Sequence, residues 1–412
     1  MSTHDQSELF ARFSGETEGG NYFVSNYPPF SVWSEEAVRT LPHVLNQPGE
    51  AETPLGVYVH VPFCRKRCHF CYFKVYTDKG SQEVEAYIDA LLLEASRLAE
   101  MPLTQGRTVR FLYIGGGTPS YLSARQLRRL IEGLSVLLDR QQLEEFTIEC
   151  EPGTVSPSKL AVLAELGVTR LSLGVESLDD DILELNGRAH RLRHVDKVWA
   201  SAKASTIPQL NLDLISGLVG ETEASWQGTI AHLLGMDADS VTIYQMEMPV
   251  NTAFFKALGR GELGEDALPD WPTKRRWSAS AFDALERRGY SLTSAVTAVR
   301  DATRARFVYR DSLWGGADML GLGVSAFSHV GGTHYQNEKH IERYVGRLQD
   351  KEWPIQRGYV MSADERLVRE TVLLLKRGRL DLKRLDAKYG VVAQERFSQP
   401  IAALVSAGLA RL

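Results

Sequence analysis

Six short β-rich apolar runs, at 56–61, 110–114, 145–150, 170–175, 209–215 and 240–245, alternate with stretches of helical period. In 83–100, Val84, Ile88, Leu91, Ala95 and Leu98 fall on one helical face. In 123–138, Leu127, Leu130, Ile131, Leu134 and Leu137 do the same. Strand–helix repeats of this kind predict a parallel sheet with right-handed crossovers, an α/β architecture. Such sheets collect their chemistry at the carboxyl ends of their strands, so the residues just after each run are the ones to read.

The first run, Gly56-Val57-Tyr58-Val59-His60-Val61, leads into Cys64-Arg65-Lys66-Arg67-Cys68-His69-Phe70-Cys71. Three thiolates at these spacings can surround one soft metal centre. A four-iron cube wants four protein ligands, and this loop supplies three, which leaves one iron open for chemistry. A zinc knuckle completed by His60, His69 or Cys150 is the alternative, as are cysteines that are simply buried.

At 412 residues the chain has room for a large domain with appendages. A net charge of −5 argues against nucleic acid as the main partner. No apolar run reaches the length of a membrane span, and Met1 to Phe10 lacks a signal-peptide core. Four cysteines, three of them within eight positions, do not form a disulfide framework. A cytoplasmic protein is expected.

The cysteine triplet, with an aromatic before its last member, resembles the signature of the radical S-adenosylmethionine (SAM) superfamily. That resemblance implies a [4Fe-4S] cluster on Cys64, Cys68 and Cys71, with SAM on the open iron. It implies reductive cleavage of SAM to a 5′-deoxyadenosyl radical, and a partial (β/α)6 barrel. Gly115-Gly116-Gly117-Thr118 after the second strand resembles the family's glycine-rich motif, which holds the SAM amino group. Glu149, ending the third strand, matches the residue that grips the ribose; otherwise it is an acid beside a turn. Tyr58, Glu176 and Arg188 are further cofactor-binding positions on the same ground. Asp213 alternates with Leu212 and Leu214 and so points away from their face, into the barrel. A buried carboxylate needs partners, which ribose hydroxyls or Arg188 would supply; a structural salt bridge is the alternative.

The fourth, fifth and sixth strands resemble those of the oxygen-independent coproporphyrinogen III oxidase-like subgroup. So does Gly321-Leu322-Gly323-Val324-Ser325-Ala326, which that resemblance places at a second SAM molecule. Glycine at 323 would then allow backbone to approach that ligand. Residues 1–50 are expected to wrap the main domain or cover its mouth, 51–350 to form the catalytic domain, and 351–412 a small helical, winged-helix-like domain. Three reactions compete within the subgroup: oxidative decarboxylation of a porphyrinogen, a heme-handling role, and class C methyl or methylene transfer to an sp2 carbon. The oxidases of the subgroup carry a further cysteine two positions after the last cluster ligand, where this chain has Phe73. The methylase branch, with a flat secondary-metabolite substrate, is therefore the expectation. Arg65-Lys66-Arg67 is a solvated loop face or a docking point for an acidic electron donor such as a flavodoxin or ferredoxin.

Overall fold

The computed structural model describes residues 26–249 and 251–412. Six strands, β1 (Leu55–Val61), β2 (Val109–Gly116), β3 (Glu145–Cys150), β4 (Arg170–Glu176), β5 (Gln209–Ser216) and β6 (Ser240–Gln245), run parallel in sequence order. They form the partial barrel that the strand–helix alternation predicts. Parallel strands covered on both faces usually read as continuous apolar runs, whereas these alternate. In β5, Leu210, Leu212 and Leu214 join the core beneath the helices, while Asn211 and Asp213 bond to Ser172 and to each other on the inner face. Each fully buried leucine on the helix side contributes roughly 1.5–3 kcal/mol relative to exposure. The polar inner face is left for other work.

The Ser81–Ala99 helix crosses from β1 to β2 with Val84, Ile88, Leu91, Ala95 and Leu98 buried, the face read from the sequence. The next helix opens on a capping box, in which the Ser123 hydroxyl accepts from the Gln126 amide and the Gln126 side chain accepts from the Ser123 amide. It ends at Gly133, short of the expected 138, and passes into a 3-10 turn over Leu134–Val136. A β-carbon at Gly133 would stand 2.6 Å from the Leu92 methyls, so this helix gives up length for close packing.

The sheet does not stop at β6. Among the described residues it has twelve strands, with the hairpin β7 (Ser291–Ser294) and β8 (Thr297–Val299) antiparallel beyond β6. On the other side, β9 (Asp318–Leu322) pairs parallel with β1. β10 (Phe327–Val330), β11 (Thr333–Asn337) and β12 (Ile355–Val360) continue antiparallel, so the sheet runs past residue 350. The sequence pattern assigns no strand to any of these four, because each is short. Of the N-terminal extension, Ser34 bridges Gly358 of β12, and Trp33 stacks on His334 with ring centroids 5.0 Å apart. The described part of the extension therefore covers the β10–β12 face; residues 1–25 lie outside the described residues. Beyond the sheet, helices Ala363–Leu375, Leu382–Tyr389 and Ala393–Arg396 pack through Leu367, Leu374, Leu385 and Ala393, and the helix Ser398–Ser406 follows them. No helix among the described residues is long and apolar enough to cross a membrane.

The amino end of the barrel is stoppered by the first turn of the Val308–Trp314 helix. The Glu145 carboxylate, first in β3, accepts from the amides of Val308 at 2.6 Å and Tyr309 at 3.2 Å. The Tyr309 ring lies 4.4 Å from that of Tyr113. The open end is thus the carboxyl one, where the cysteine loop sits.

Candidate active site

The cysteine loop is tied down from both flanks. The Cys64 amide donates to the Tyr76 carbonyl at 3.0 Å, and the Gly117 and Thr118 amides donate to Val61 and Phe63 at 2.8 Å each. These last bonds clip the glycine-rich loop to the approach of the cysteine loop, and a β-carbon at Gly117 would stand 2.9 Å from the Val61 carbonyl oxygen. The Thr118 hydroxyl donates to Cys64 Sγ at 3.3 Å. Arg188 Nη1 donates to Cys68 Sγ at 3.1 Å while Nη2 holds the Gly174 carbonyl at 2.7 Å. Burial pushes the Cys64 thiol up to about 12, and the neighbouring Cys71 and Cys68 charges add to the effect. The Cys71 thiol is raised by burial and by Cys68. These thiols face one another closely enough to repel as anions, and a coordinated metal would reverse the preference by holding them as thiolates.

The knuckle alternative loses two of its three further ligands. His69 turns a ring nitrogen to the Leu185 carbonyl at 3.1 Å, and Cys150 is buried in the main core. Among the described residues no three His, Cys, Asp or Glu side chains converge on a single-ion site.

Below the loop the inner face forms a polar recess. Glu149 accepts from the Tyr113 hydroxyl at 2.6 Å and from the Gly116 amide at 3.0 Å, and burial lifts its pKa to about 7. Asp213 accepts from the Ser172 hydroxyl at 2.7 Å and the Asn211 amide at 2.9 Å. Burial raises it too, against the pull of Arg170. The partner considered for Asp213, Arg188, is engaged elsewhere: it pairs with Glu176 at 3.5 Å. Glu176 sits at φ 67°, where the strand bulges between Gly174 and Glu176, and burial lifts its pKa to about 7. The Tyr58 hydroxyl meets His60 Nδ1 at 3.0 Å. Burial lowers His60 to about 4 and keeps its ring neutral. Two buried nitrogens at this end, His60 Nε2 and Arg188 Nε, have no hydrogen-bond partner among the described residues. Glu149, Glu176 and Asp213 all retain partial accessibility although burial dominates their titration. That combination marks side chains facing a recess rather than open solvent.

The residues fit an iron–sulfur cluster with SAM. Three thiols lie on one loop, with a guanidinium on the second of them. The unpartnered buried donors and the carboxylates lie where an amino-acid head and a ribose could be met. Sequence reasoning missed His60 as a recess residue, and also Tyr72, Tyr113, Ser172, Asn211 and Tyr244; the alternation that exposed Asp213 would have found those on strands.

The Gly321–Ala326 stretch is placed differently from the expectation of a ligand-lining turn. The Gly323 amide donates to Glu94 Oε2 at 2.8 Å, and the Val324 amide donates to the Tyr87 hydroxyl at 2.9 Å. Gly323 has φ 96°, and a β-carbon on it would stand 2.3 Å from the Tyr87 hydroxyl and 2.8 Å from the His60 carbonyl oxygen. At Gly321 it would stand 2.2 Å from the Phe327 carbonyl oxygen. Ser325, at φ 61°, donates its amide to Glu338, and Ala326 is buried. These glycines admit the Ser81–Ala99 helix and the β10 backbone, so a larger side chain at 323 would collide with protein before reaching any ligand.

The model of the radical SAM superfamily matches residues 58–233. The heme chaperone HemW of Bacillus subtilis (strain 168) is 29% identical over 359 residues, covering 86% of this chain and 92% of that protein. The oxygen-independent coproporphyrinogen III oxidase of Salmonella typhimurium is 27% identical over 392 residues, covering 92% of this chain and 83% of that one. Among solved structures, coproporphyrinogen III oxidase from Escherichia coli, described as a radical SAM enzyme, superposes with a TM-score of 0.79. It is 25% identical and covers 93% of this chain and 89% of that one.

Proposed function

We propose that this chain, which is similar to the radical SAM superfamily over residues 58–233 and to heme chaperones and oxygen-independent coproporphyrinogen III oxidases over most of its length, is a SAM-cleaving enzyme acting on a tetrapyrrole. Oxidation of coproporphyrinogen III is what its oxidase relatives' names supply, and the subgroup resemblance makes that an oxidative decarboxylation. The observation that carries this reading is the three-thiol loop clipped over a recess lined by Glu149, Glu176 and Asp213. Cys64, Cys68 and Cys71 would hold the cluster. When bound, the cluster and SAM supply one-electron cleavage of the sulfonium to methionine and a 5′-deoxyadenosyl radical.

The remaining residues orient and shield. Arg188 keeps positive charge beside Cys68, and its unpartnered Nε suits a carboxylate. Gly115 to Thr118 bring backbone close beneath the loop. Glu149 and Asp213, with Tyr58 beside them, are placed to meet ribose hydroxyls. Holding the reacting groups within van der Waals reach is the main catalytic contribution open to such a site. Arg65, Lys66 and Arg67 are exposed on the outer side of the loop and suit an acidic electron-donor protein such as a flavodoxin or ferredoxin.

The relatives do not support the methylase branch. It stays as a second reading on one observation, Phe73 in place of the oxidases' further cysteine. Reconstituted protein is given coproporphyrinogen III and methyl-deuterated SAM. Carbon dioxide release, with 5′-deoxyadenosine that carries hydrogen from the substrate, supports the decarboxylase reading. Deuterium in 5′-deoxyadenosine and a labelled one-carbon unit on an added acceptor would replace it with methyl or methylene transfer.

A further inference from the structure

Among the described residues, Phe73 and Tyr244 are the aromatic side chains that remain exposed, at 38% and 45%. They come from separate parts of the chain. Phe73 follows the cysteine loop, and Tyr244 lies near the carboxyl end of β6. Both belong to the same recess. Tyr72 packs on Phe73 with ring centroids 4.4 Å apart, and Tyr244 lies two residues along β6 from Thr242, the register partner of Asp213. The Phe73 ring lies 6.3 Å from that of His60 on the inner face of β1. Tyr244 alternates with Ile243 and so shares the inner face of β6 with Ser240 and Thr242, whose hydroxyls donate to Asn211 Oδ1. Its hydroxyl has no hydrogen-bond partner among the described residues.

An exposed aromatic ring costs hydration free energy that a buried one does not, and here two such rings face one recess. From this we infer that Phe73 and Tyr244 are specificity-determining residues that seat a flat heteroaromatic ring by its π faces. Offset stacking and edge contacts favour conjugated rings over saturated rings of the same size. The Tyr244 hydroxyl adds a hydrogen bond at the ring's edge. The inference rests on the reading of the recess as the substrate chamber, and it names the substrate class as π-faced rings, of which the pyrroles of a tetrapyrrole are one case. Phe73 thereby has a positive role at the position where the oxidases carry a further cysteine.

The test is equilibrium binding to the reconstituted protein with SAM present, using coproporphyrin III and acridine as flat probes and cyclohexanecarboxylate as a saturated one. Phe73→Leu and Tyr244→Leu should each weaken binding of a flat probe by about tenfold, with iron content and Tm unchanged. Phe73→Trp should restore it, and cyclohexanecarboxylate should respond to none of the variants. Acridine binding that depends on both residues, with no binding of coproporphyrin III, would uphold the π-face seat and remove the tetrapyrrole reading. Flat probes that bind the leucine variants as tightly as the parent, or fail to bind the parent, would overturn the inference.

Discussion

Two glycine-rich stretches stand at the carboxyl ends of parallel strands, Gly115–Gly117 closing β2 and Gly321–Gly323 closing β9, and they make room for different things. A β-carbon at Gly115 would stand 2.9 Å from the Glu149 carboxylate, and one at Gly116 would stand 2.6 Å from the His60 ring. There the missing side chains admit polar groups of the recess. At Gly323 the space is taken by Tyr87, whose hydroxyl donates to the His60 carbonyl at 2.8 Å and accepts from Val324. Behind it, Glu94 accepts from Gly323, from Asn337 at 2.7 Å and from Tyr344 at 2.6 Å. A glycine signature reports close approach; which atoms approach is decided by the elements packed around it.

The largest effect expected lies on the recess side. Cys64→Ala, Cys68→Ala and Cys71→Ala should each abolish SAM cleavage in a 5′-deoxyadenosine assay, whereas Cys150→Ala should retain it. Loss of iron from Cys150→Ala with one of the other three spared would redraw the ligand set. On the opposite side, Gly323→Val should act as a folding lesion. Overpacking against Tyr87 and a left-handed backbone angle together cost about 3 kcal/mol, read as a fall in Tm. Unchanged Tm with weakened SAM binding would return this turn to the ligand and collapse the contrast.

Smaller effects sharpen the same contrast. Asp213→Asn should weaken SAM binding about tenfold by isothermal titration, with Tm close to the parent. A large Tm loss at unchanged affinity would make Asp213 a purely structural barrel carboxylate. The smallest effect belongs to Glu94, whose pKa burial lifts from 4.5 to about 7. The folded chain therefore binds this proton more tightly than the unfolded one. The stability contribution is full below about 4.5 and is lost as pH rises through about 7. Between pH 5 and 8 the parent's Tm should fall by about 3 °C more than that of Glu94→Gln. Parallel profiles would show that the network holds Glu94 ionised throughout.

The strand–helix alternation, the cysteine loop and the inward turn of Asp213 were legible in the sequence, because each rests on local spacing. Strand bounds came within about two residues for the same reason: a period of two along a strand is set by the backbone. The four strands β9 to β12 were not legible, since stretches of four to six residues acquire strand identity only by pairing with β1 and with one another. Nor was it visible that Arg188 would serve Cys68 and Glu176 rather than Asp213. That choice depends on the bulge before Glu176 and on where the loop carrying Cys68 comes to rest. The exposed pair Phe73 and Tyr244 belongs to the same class, being 171 positions apart in the chain (244 − 73). Chemical types and local periods are properties of neighbours in sequence, and the sequence alone determined them. Which groups share a recess, and which glycine faces it, depends on contacts between distant elements, and only the tertiary structure decided those.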